Sequence, residues 1–290
     1  MANATGQKTV LLTGASDGLG KAAAILLAER GYRVFGTGRS TEKLAQVETL
    51  ARQRNLPLET LEMDVCDDDS VRRGVEAVRN RAGDIDVLIN NAGFAFSIAF
   101  EDLRLEDWRK QFETNVFGLI RVTQAVLPRM RERRQGRLIM ISSVAGFLTV
   151  PLQGAYSASK HAVEAISNAL RHELYPFGVQ TVLIEPGYIV SGIQQVGASL
   201  AERYTDKVQR GPYAKLYAST WESANRTRAQ SKTTPEDCAR VIWEAVESPQ
   251  PKARYPVTSL AKFAKWGKRI LSDRAADRWI RRRYGITRDR

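Results

Sequence analysis

The chain of 290 residues is poor in the side chains that build metal cages and cross-links. Cys66 and Cys238 are its only cysteines, and His161 and His172 its only histidines. Two distant thiols make neither a disulfide scaffold nor a thiolate zinc site, and two histidines exclude a His-rich metal centre. Both cysteines are therefore expected to pack in a core, in a reducing compartment. No apolar run approaches the roughly 18 residues of a membrane span. The opening MANATGQKTV lacks the apolar centre of a secretory signal. A cytoplasmic protein, at most peripheral on a membrane surface, is the expectation. Acid is also scarce: 32 Asp and Glu face 44 Lys and Arg, a net charge of +12. Residues 252 to 290 carry +10 of it, leaving a nearly neutral body at +2. Hydrophobic residues at 43% exclude a disordered chain.

What is present is an alternation of short β-rich runs and amphipathic stretches. Strands are predicted at residues 8 to 13, 32 to 37, 58 to 63, 86 to 90, 137 to 142 and 179 to 184. Helices are predicted at 18 to 30, 41 to 54, 67 to 81, a long stretch 105 to 133, and 155 to 175. Continuously apolar strands alternating with helices indicate an α/β fold, a doubly wound parallel sheet of Rossmann type covered on both faces. Residues 190 to 232 are polar, without an evident strand, and read as a substrate lid inserted in the catalytic domain of residues 1 to 257. Thr234, Pro235 and Asp237 form the start of a helix running to about Glu247. A last strand is expected near 253 to 257. A basic amphipathic extension, residues 258 to 290, follows.

Gly14, Ser16, Asp17, Gly18, Leu19 and Gly20 join the first strand to the first helix in the spacing G-x-x-x-G-x-G. Such glycines let the backbone turn tightly and approach a pyrophosphate at a helix N-terminus. The end of the second strand, Gly36-Thr37-Gly38-Arg39-Ser40, has no acid to hold a ribose 2′-hydroxyl. Arg39 suits a 2′-phosphate, so NADP(H) is favoured over NAD(H). Asp17 is a counter-signal.

Further motifs follow in order. Asn90-Asn91-Ala92-Gly93 ends the fourth strand, Ser142-Ser143 the fifth, and Pro186-Gly187 the sixth. Tyr156-Ser157-Ala158-Ser159-Lys160 opens a helix. Tyr156 and Lys160 stand at i and i+4, on one helix face, where an ammonium, together with the positive nicotinamide of the oxidised cofactor, favours the phenolate of a residue otherwise titrating near pH 10. From residue 13 to about 191 the chain resembles the short-chain dehydrogenase/reductase family. The C-terminal half is similar to its steroid- and retinol-type branch. The resemblance implies Tyr156 as acid/base and Lys160 as the group that lowers its pKa and holds the nicotinamide ribose. It implies Ser143 on the substrate oxygen and Asn115 in a water link from Lys160 to solvent. Asp64 and Val65 would meet adenine, the backbone of Asn91, Ala92 and Gly93 the adenosine ribose, and Pro186, Gly187 and Ile189 the nicotinamide. Ser191 stands where the family often has Thr. His161 has no role in it.

Candidate pocket residues are Phe94, Phe96, Val144, Ala145, Leu152, Tyr188 and Ile193, several of which have core packing as an alternative. Their apolar character points to a lipophilic small-molecule substrate, steroid-like, retinoid-like or a long-chain ketone. Reduction of 3-oxoacyl groups on a carrier protein is an alternative, and a non-catalytic nucleotide sensor or membrane-bound scaffold is an alternative of another class. A homodimer or homotetramer through the two long helices is expected, as the resemblance implies. In the extension, Leu260, Phe263, Ile270 and Leu271 share a face, and Ala276, Trp279 and Ile280 form a second stripe. That segment either docks on its own domain or contacts an anionic membrane. No nucleic-acid motif accompanies the charge, so no nucleic-acid partner is expected.

Overall fold

The computed structural model describes residues 6 to 189 and 202 to 287. Its strands are β1 (Thr9–Thr13), β2 (Arg33–Gly38), β3 (Leu58–Glu62), β4 (Val87–Asn90), β5 (Gly136–Ile141), β6 (Val179–Glu185) and β7 (Arg254–Pro256). They form one sheet in the order β3-β2-β1-β4-β5-β6-β7, with every pairing parallel. The doubly wound Rossmann-type architecture follows directly. The predicted strands all appear, with ends displaced by a residue or two. The strand order reverses between β1 and β4, so the crevice at their carboxyl ends is where such sheets bind ligands.

Helices α1 (Gly18–Glu29), α2 (Thr41–Gln53) and α3 (Asp68–Ala82) alternate with the first four strands. Asp17, Ser40 and Asp67 cap them, each accepting a hydrogen bond from a first-turn N–H. The long predicted helix is interrupted. It consists of α4 (Leu105–Phe112), a π-helical turn (Glu113–Phe117) and α5 (Gly118–Glu132), with the Gly118 N–H bonding to the Glu113 carbonyl. Hydrophobic periodicity does not reveal one inserted residue, and such turns are frequent at functional sites. After β5 come α6 (Gly154–Glu173), then α7 (Thr205–Arg210), α8 (Ala214–Gln230) and α9 (Pro235–Glu247). The α9 capping box of Thr234 and Asp237 is present as read from the sequence.

Apolar side chains cover both sheet faces. Val10, Leu12, Val34 and Ile139 pack with α1 and α9 residues such as Leu27 and Ile242 on one face. Leu11, Phe35, Leu88 and Leu138 pack with Val75, Val122 and Val163 on the other. Cys238 is buried in the first core, Cys66 is half-buried against the second, and both are free thiols.

The described part of the segment read as a lid, residues 202 to 232, is mostly helical, and two buried tyrosines clamp it to the body. The Tyr204 hydroxyl bonds the carboxylate of buried Asp107 and accepts from the Arg104 N–H. The Tyr217 hydroxyl donates to Asp102 at 3.0 Å and accepts from the Ala99 N–H at 2.8 Å. Fully partnered phenols of this kind fix orientation as well as bury area. The extension forms two helices, α10 (Ser259–Ile270) and α11 (Asp273–Arg283). Both dock on the protein. Ala261 of α10 is fully buried, and Arg283 of α11 donates to Thr227 of α8 at 2.7 Å.

Candidate active site

The glycine loop sits at the carboxyl end of β1. Gly14 has φ +71°, open to glycine at little cost, and a Cβ there would lie 2.9 Å from the Ala92 Cα. A Cβ on Gly20 would lie 2.0 Å from the Gly14 carbonyl oxygen. These absences of side chain let α1 start directly under the loop, with its N-terminal N–H groups at the crevice. Asn91 locks the loop to β4. Its side-chain amide donates to the carbonyls of Thr13 (2.9 Å) and Gly14 (3.0 Å), and the Asn91 and Ala92 N–H groups donate to the Thr13 hydroxyl. Asn91 is thus a brace of the cradle. Gly93 faces Asn115, whose Oδ1 would meet a Cβ at 3.0 Å.

At the end of β2, Arg39 is exposed. Asp17 makes two bonds within the fold. It caps α1 through the Gly18 N–H at 2.7 Å and pairs with Lys43 at 3.2 Å. Burial raises its pKa, but the Lys43 and Gly18 hydrogen bonds outweigh that and hold it below the ordinary carboxylate value. The sequence reading overlooked Lys43, whose signal was its position one turn into α2 beyond Arg39. Asp64 accepts from the Cys66 N–H at 2.9 Å, and the Val65 carbonyl accepts from Arg121 at 2.6 Å.

Ser143, Tyr156, Lys160 and Asn115 converge beside the crevice from the end of β5, from α6 and from the π turn. The Ser143 hydroxyl is a hydrogen-bonding neighbour of the Tyr156 phenol. Burial raises the phenol's pKa, against a downward pull from Ser143. The Lys160 ammonium lies 5.8 Å from the ring centroid; the expected phenolate applies with the positive nicotinamide of an oxidised cofactor beside it, and without that charge burial keeps the phenol above its ordinary value. The phenol is therefore protonated at neutral pH. Lys160 donates to the Ile141 carbonyl at 2.8 Å, and burial pushes its pKa down to about 8 against the opposing charge of Glu164. The Asn115 side chain accepts from the Phe94 N–H and donates to the Phe94 carbonyl and the Ser159 hydroxyl. One amide hydrogen thus braces the loop after β4 and the other reaches α6. His161 bonds the Ser157 carbonyl and takes no part in the cluster.

Behind this cluster lies a charged quartet that the sequence reading missed. Glu185, at the end of β6, has no exposed surface. It accepts from Arg254 of β7 at 2.7 Å and from Lys265 of α10. Arg254 also pairs with Glu164, one turn beyond Lys160, and Glu164 accepts from Ser142 beside Ser143. The signals were an acid ending an otherwise apolar strand and a Glu at i+4 from Lys160.

The candidate pocket residues divide. Phe94, Phe96 and Leu152 belong to the buried cluster under the lid, with Tyr204 and Tyr217, and the Phe94 and Phe96 rings meet edge to face. Core packing accounts for Phe96, which is 1% exposed. Val144 and Ala145 form a 3-10 turn after Ser143, and the Val144 N–H bonds the Pro186 carbonyl. Gly187 lies against Thr258, Tyr188 is half-buried and its carbonyl accepts from Ser231, and Ile189 packs on the first core. Ser191 and Ile193 lie outside the described residues. Tyr284, from the extension, is a neighbour of Tyr188 that the sequence reading did not foresee.

Comparisons with known proteins identify the family. The family described as short chain dehydrogenase matches residues 8–199. The chain is a short-chain dehydrogenase/reductase. It is 35% identical over 274 residues to the NADPH-dependent 3-dehydrocapnine reductase of Ornithobacterium rhinotracheale, covering 92% of this chain and 94% of that one. It is 42% identical over 184 residues to the 3-ketodihydrosphingosine reductase of Bacteroides thetaiotaomicron, 63% of this chain and 64% of the relative. It is 35% identical to bovine retinol dehydrogenase 8 over 85% of its length and 80% of the relative's. A Streptomyces avermitilis short-chain dehydrogenase crystal structure superposes with TM-score 0.77 at 30% identity, covering 97% of this chain and all of that one. As a member of this family, the protein is an NAD(P)(H)-dependent oxidoreductase acting on CH–OH and carbonyl groups. The cradle fits that dinucleotide: its glycines leave room for a pyrophosphate at a helix N-terminus, and no metal-binding group occurs among the described residues.

Two outcomes follow for this short-chain dehydrogenase/reductase. In the unfolded chain the Lys160 amine titrates near 10.5, so between about 8 and 10.5 the unfolded state holds the extra proton and native stability rises with pH. Lys160→Met removes a buried charge costing on the order of 3 kcal/mol at neutral pH. Its stability advantage, measured by urea unfolding, should shrink as pH rises through that window; an advantage constant with pH would contradict the assignment. Lys265→Met should cost about 3 kcal/mol by leaving Glu185 with one cation fewer. Adding Glu185→Gln should restore much of that loss, whereas an additive further loss would show the pair to be uncoupled.

Proposed function

We propose that the protein is an NADP(H)-dependent reductase of a lipophilic carbonyl compound, with the reverse alcohol oxidation open to it. The observation carrying this reading is the convergence of Ser143, Tyr156 and Lys160 on one side of the crevice, with Tyr156 held protonated. When bound, the nicotinamide cofactor supplies or accepts the hydride. The chain's own residues do the rest. Ser143 donates a hydrogen bond to the substrate carbonyl oxygen, and the Tyr156 phenol gives it the proton. Burial keeps that proton on the phenol until an acceptor with developing negative charge arrives. Lys160, charged at neutral pH, stabilises the phenolate left behind and is fixed in place by the Ile141 carbonyl. Asn115 acts through position, holding the Phe94 backbone against Ser159 of α6.

The 2′-phosphate preference rests on Arg39, with Lys43 close by on α2, and on the absence of an acid after β2. Asp17 does not oppose it, since its charge is already matched by Lys43. A lipophilic substrate is supported by the apolar side chains of Val144 and Ala145 directly after Ser143. The relatives named for 3-ketodihydrosphingosine, 3-dehydrocapnine and retinol also favour it.

Tyr156→Phe should lower NADPH oxidation with retinal or long-chain ketones by roughly 10²–10⁴-fold while cofactor binding, followed by fluorescence, stays within a factor of a few. Survival of near-parental turnover would remove Tyr156 from the proton step. Arg39→Asp should reverse the ratio of kcat/KM for NADPH over NADH by weakening the phosphate contact and holding a ribose hydroxyl; an unchanged ratio would end the NADP(H) argument.

A further inference from the structure

Helix α10 sits on the protein with its large apolar residues outward. Its inward side is Ala261, Ala264 and the ion-paired Lys265, anchored by the Thr258 hydroxyl capping the Ala261 N–H at 3.1 Å. Its outward side carries Phe263, Trp266 and Ile270, which are 56%, 60% and 59% exposed, and the Phe263 and Trp266 rings lie 6.3 Å apart. Leu271 continues this surface at the end of the helix, and Trp279 of α11 is also exposed. An amphipathic helix in a water-soluble protein ordinarily turns such residues to the core. A contiguous exposed patch of this kind marks an interaction site.

We propose that this face of α10 docks on the surface of an anionic phospholipid bilayer. The charge around it selects that occupant. Lys262 of α10 and Arg274, Arg278 and Arg282 of α11 are exposed, in a segment whose net charge is +10. Rings and aliphatic groups flanked by cations suit the boundary between acyl chains and phosphate headgroups. A second copy of the chain fits worse, because a two-fold contact through this face would press two cationic patches together. The docking leaves the catalytic fold unchanged, since Lys265 and Ala261 hold the opposite side of the helix. No described helix is long and apolar enough to cross a membrane, so the contact is peripheral.

The test is co-sedimentation of the full chain with phosphatidylcholine vesicles containing phosphatidylserine, alongside pure phosphatidylcholine vesicles. Pelleting is expected with the first and much less with the second, and it should weaken as salt rises. Phe263→Ser with Trp266→Ser should lower the partition coefficient roughly tenfold or more, with an unchanged unfolding curve and oligomer mass. Lys262→Glu with Arg278→Glu tests the charge independently, keeps the rings, and should lower pelleting on the anionic vesicles alone. The proposal is overturned if the full chain does not pellet, or if both variants pellet as it does. A fall in oligomer mass on Phe263→Ser/Trp266→Ser, with pelleting unchanged, would assign the face to a second copy instead. Sedimentation is read without turnover, so its outcome is separate from that of the substrate reading.

Discussion

A carboxylate with no exposed surface governs how the two ends of this protein meet. Glu185 closes β6 at the edge where every strand of the parallel sheet delivers its functional loop. A buried charge of that kind is tolerated only when paired and hydrogen-bonded. Arg254 comes from the next strand and Lys265 from the extension, and Arg254 reaches on to Glu164. Two acids and two bases thus form a neutral group behind Ser142 and one turn from Lys160. The extension is therefore no loose appendage: its position is set by the same ions that settle the back of the proton-handling cluster. α11 then reaches α8 through Arg283, so the lid, the extension and the sheet edge form one continuous wall.

Much of this was legible because parallel sheets write themselves plainly. Strands buried on both faces are continuous apolar runs, and β1 to β6 stand where those runs stand. The Thr234-to-Asp237 capping box was also readable from four letters, since capping is a local matter of side chain and backbone. The π turn was not, because one extra residue leaves the apolar spacing of a long helix almost unchanged. Tyr156 and Lys160 share a helix face as their spacing requires. That burial raises the Tyr156 phenol was not legible, since desolvation depends on what folds around the ring and leaves no trace in spacing. Glu164, Glu185, Arg254 and Lys265 escaped for a related reason: charged residues read from sequence are assumed solvated, and only the topology brings four of them together under cover.

The glycine loop shows the same division. That glycines there make room for a backbone and a phosphate follows from their type and place. That Asn91 uses its amide to tie the loop to β4, and that Asp17 is occupied by Lys43 and its own helix, follows only from three dimensions. The Asn91 side chain thereby supports the backbone expected at the ribose, and Asp17 ties the glycine loop to α2.

The charge of +12 divides along the same line. Of the tail's cations, Lys265 and Arg254 are neutralised inside the fold, and the excess left outward stands on the two terminal helices. A helix that places alanines and one paired lysine inward, and aromatic rings with cations outward, has the polarity of a surface built against something other than its own core. Its inward face meets the sheet edge through Lys265 and Glu185, and the next helix meets the 214 to 230 helix through Arg283, so the outward rings are left without a partner among the described contacts of that wall.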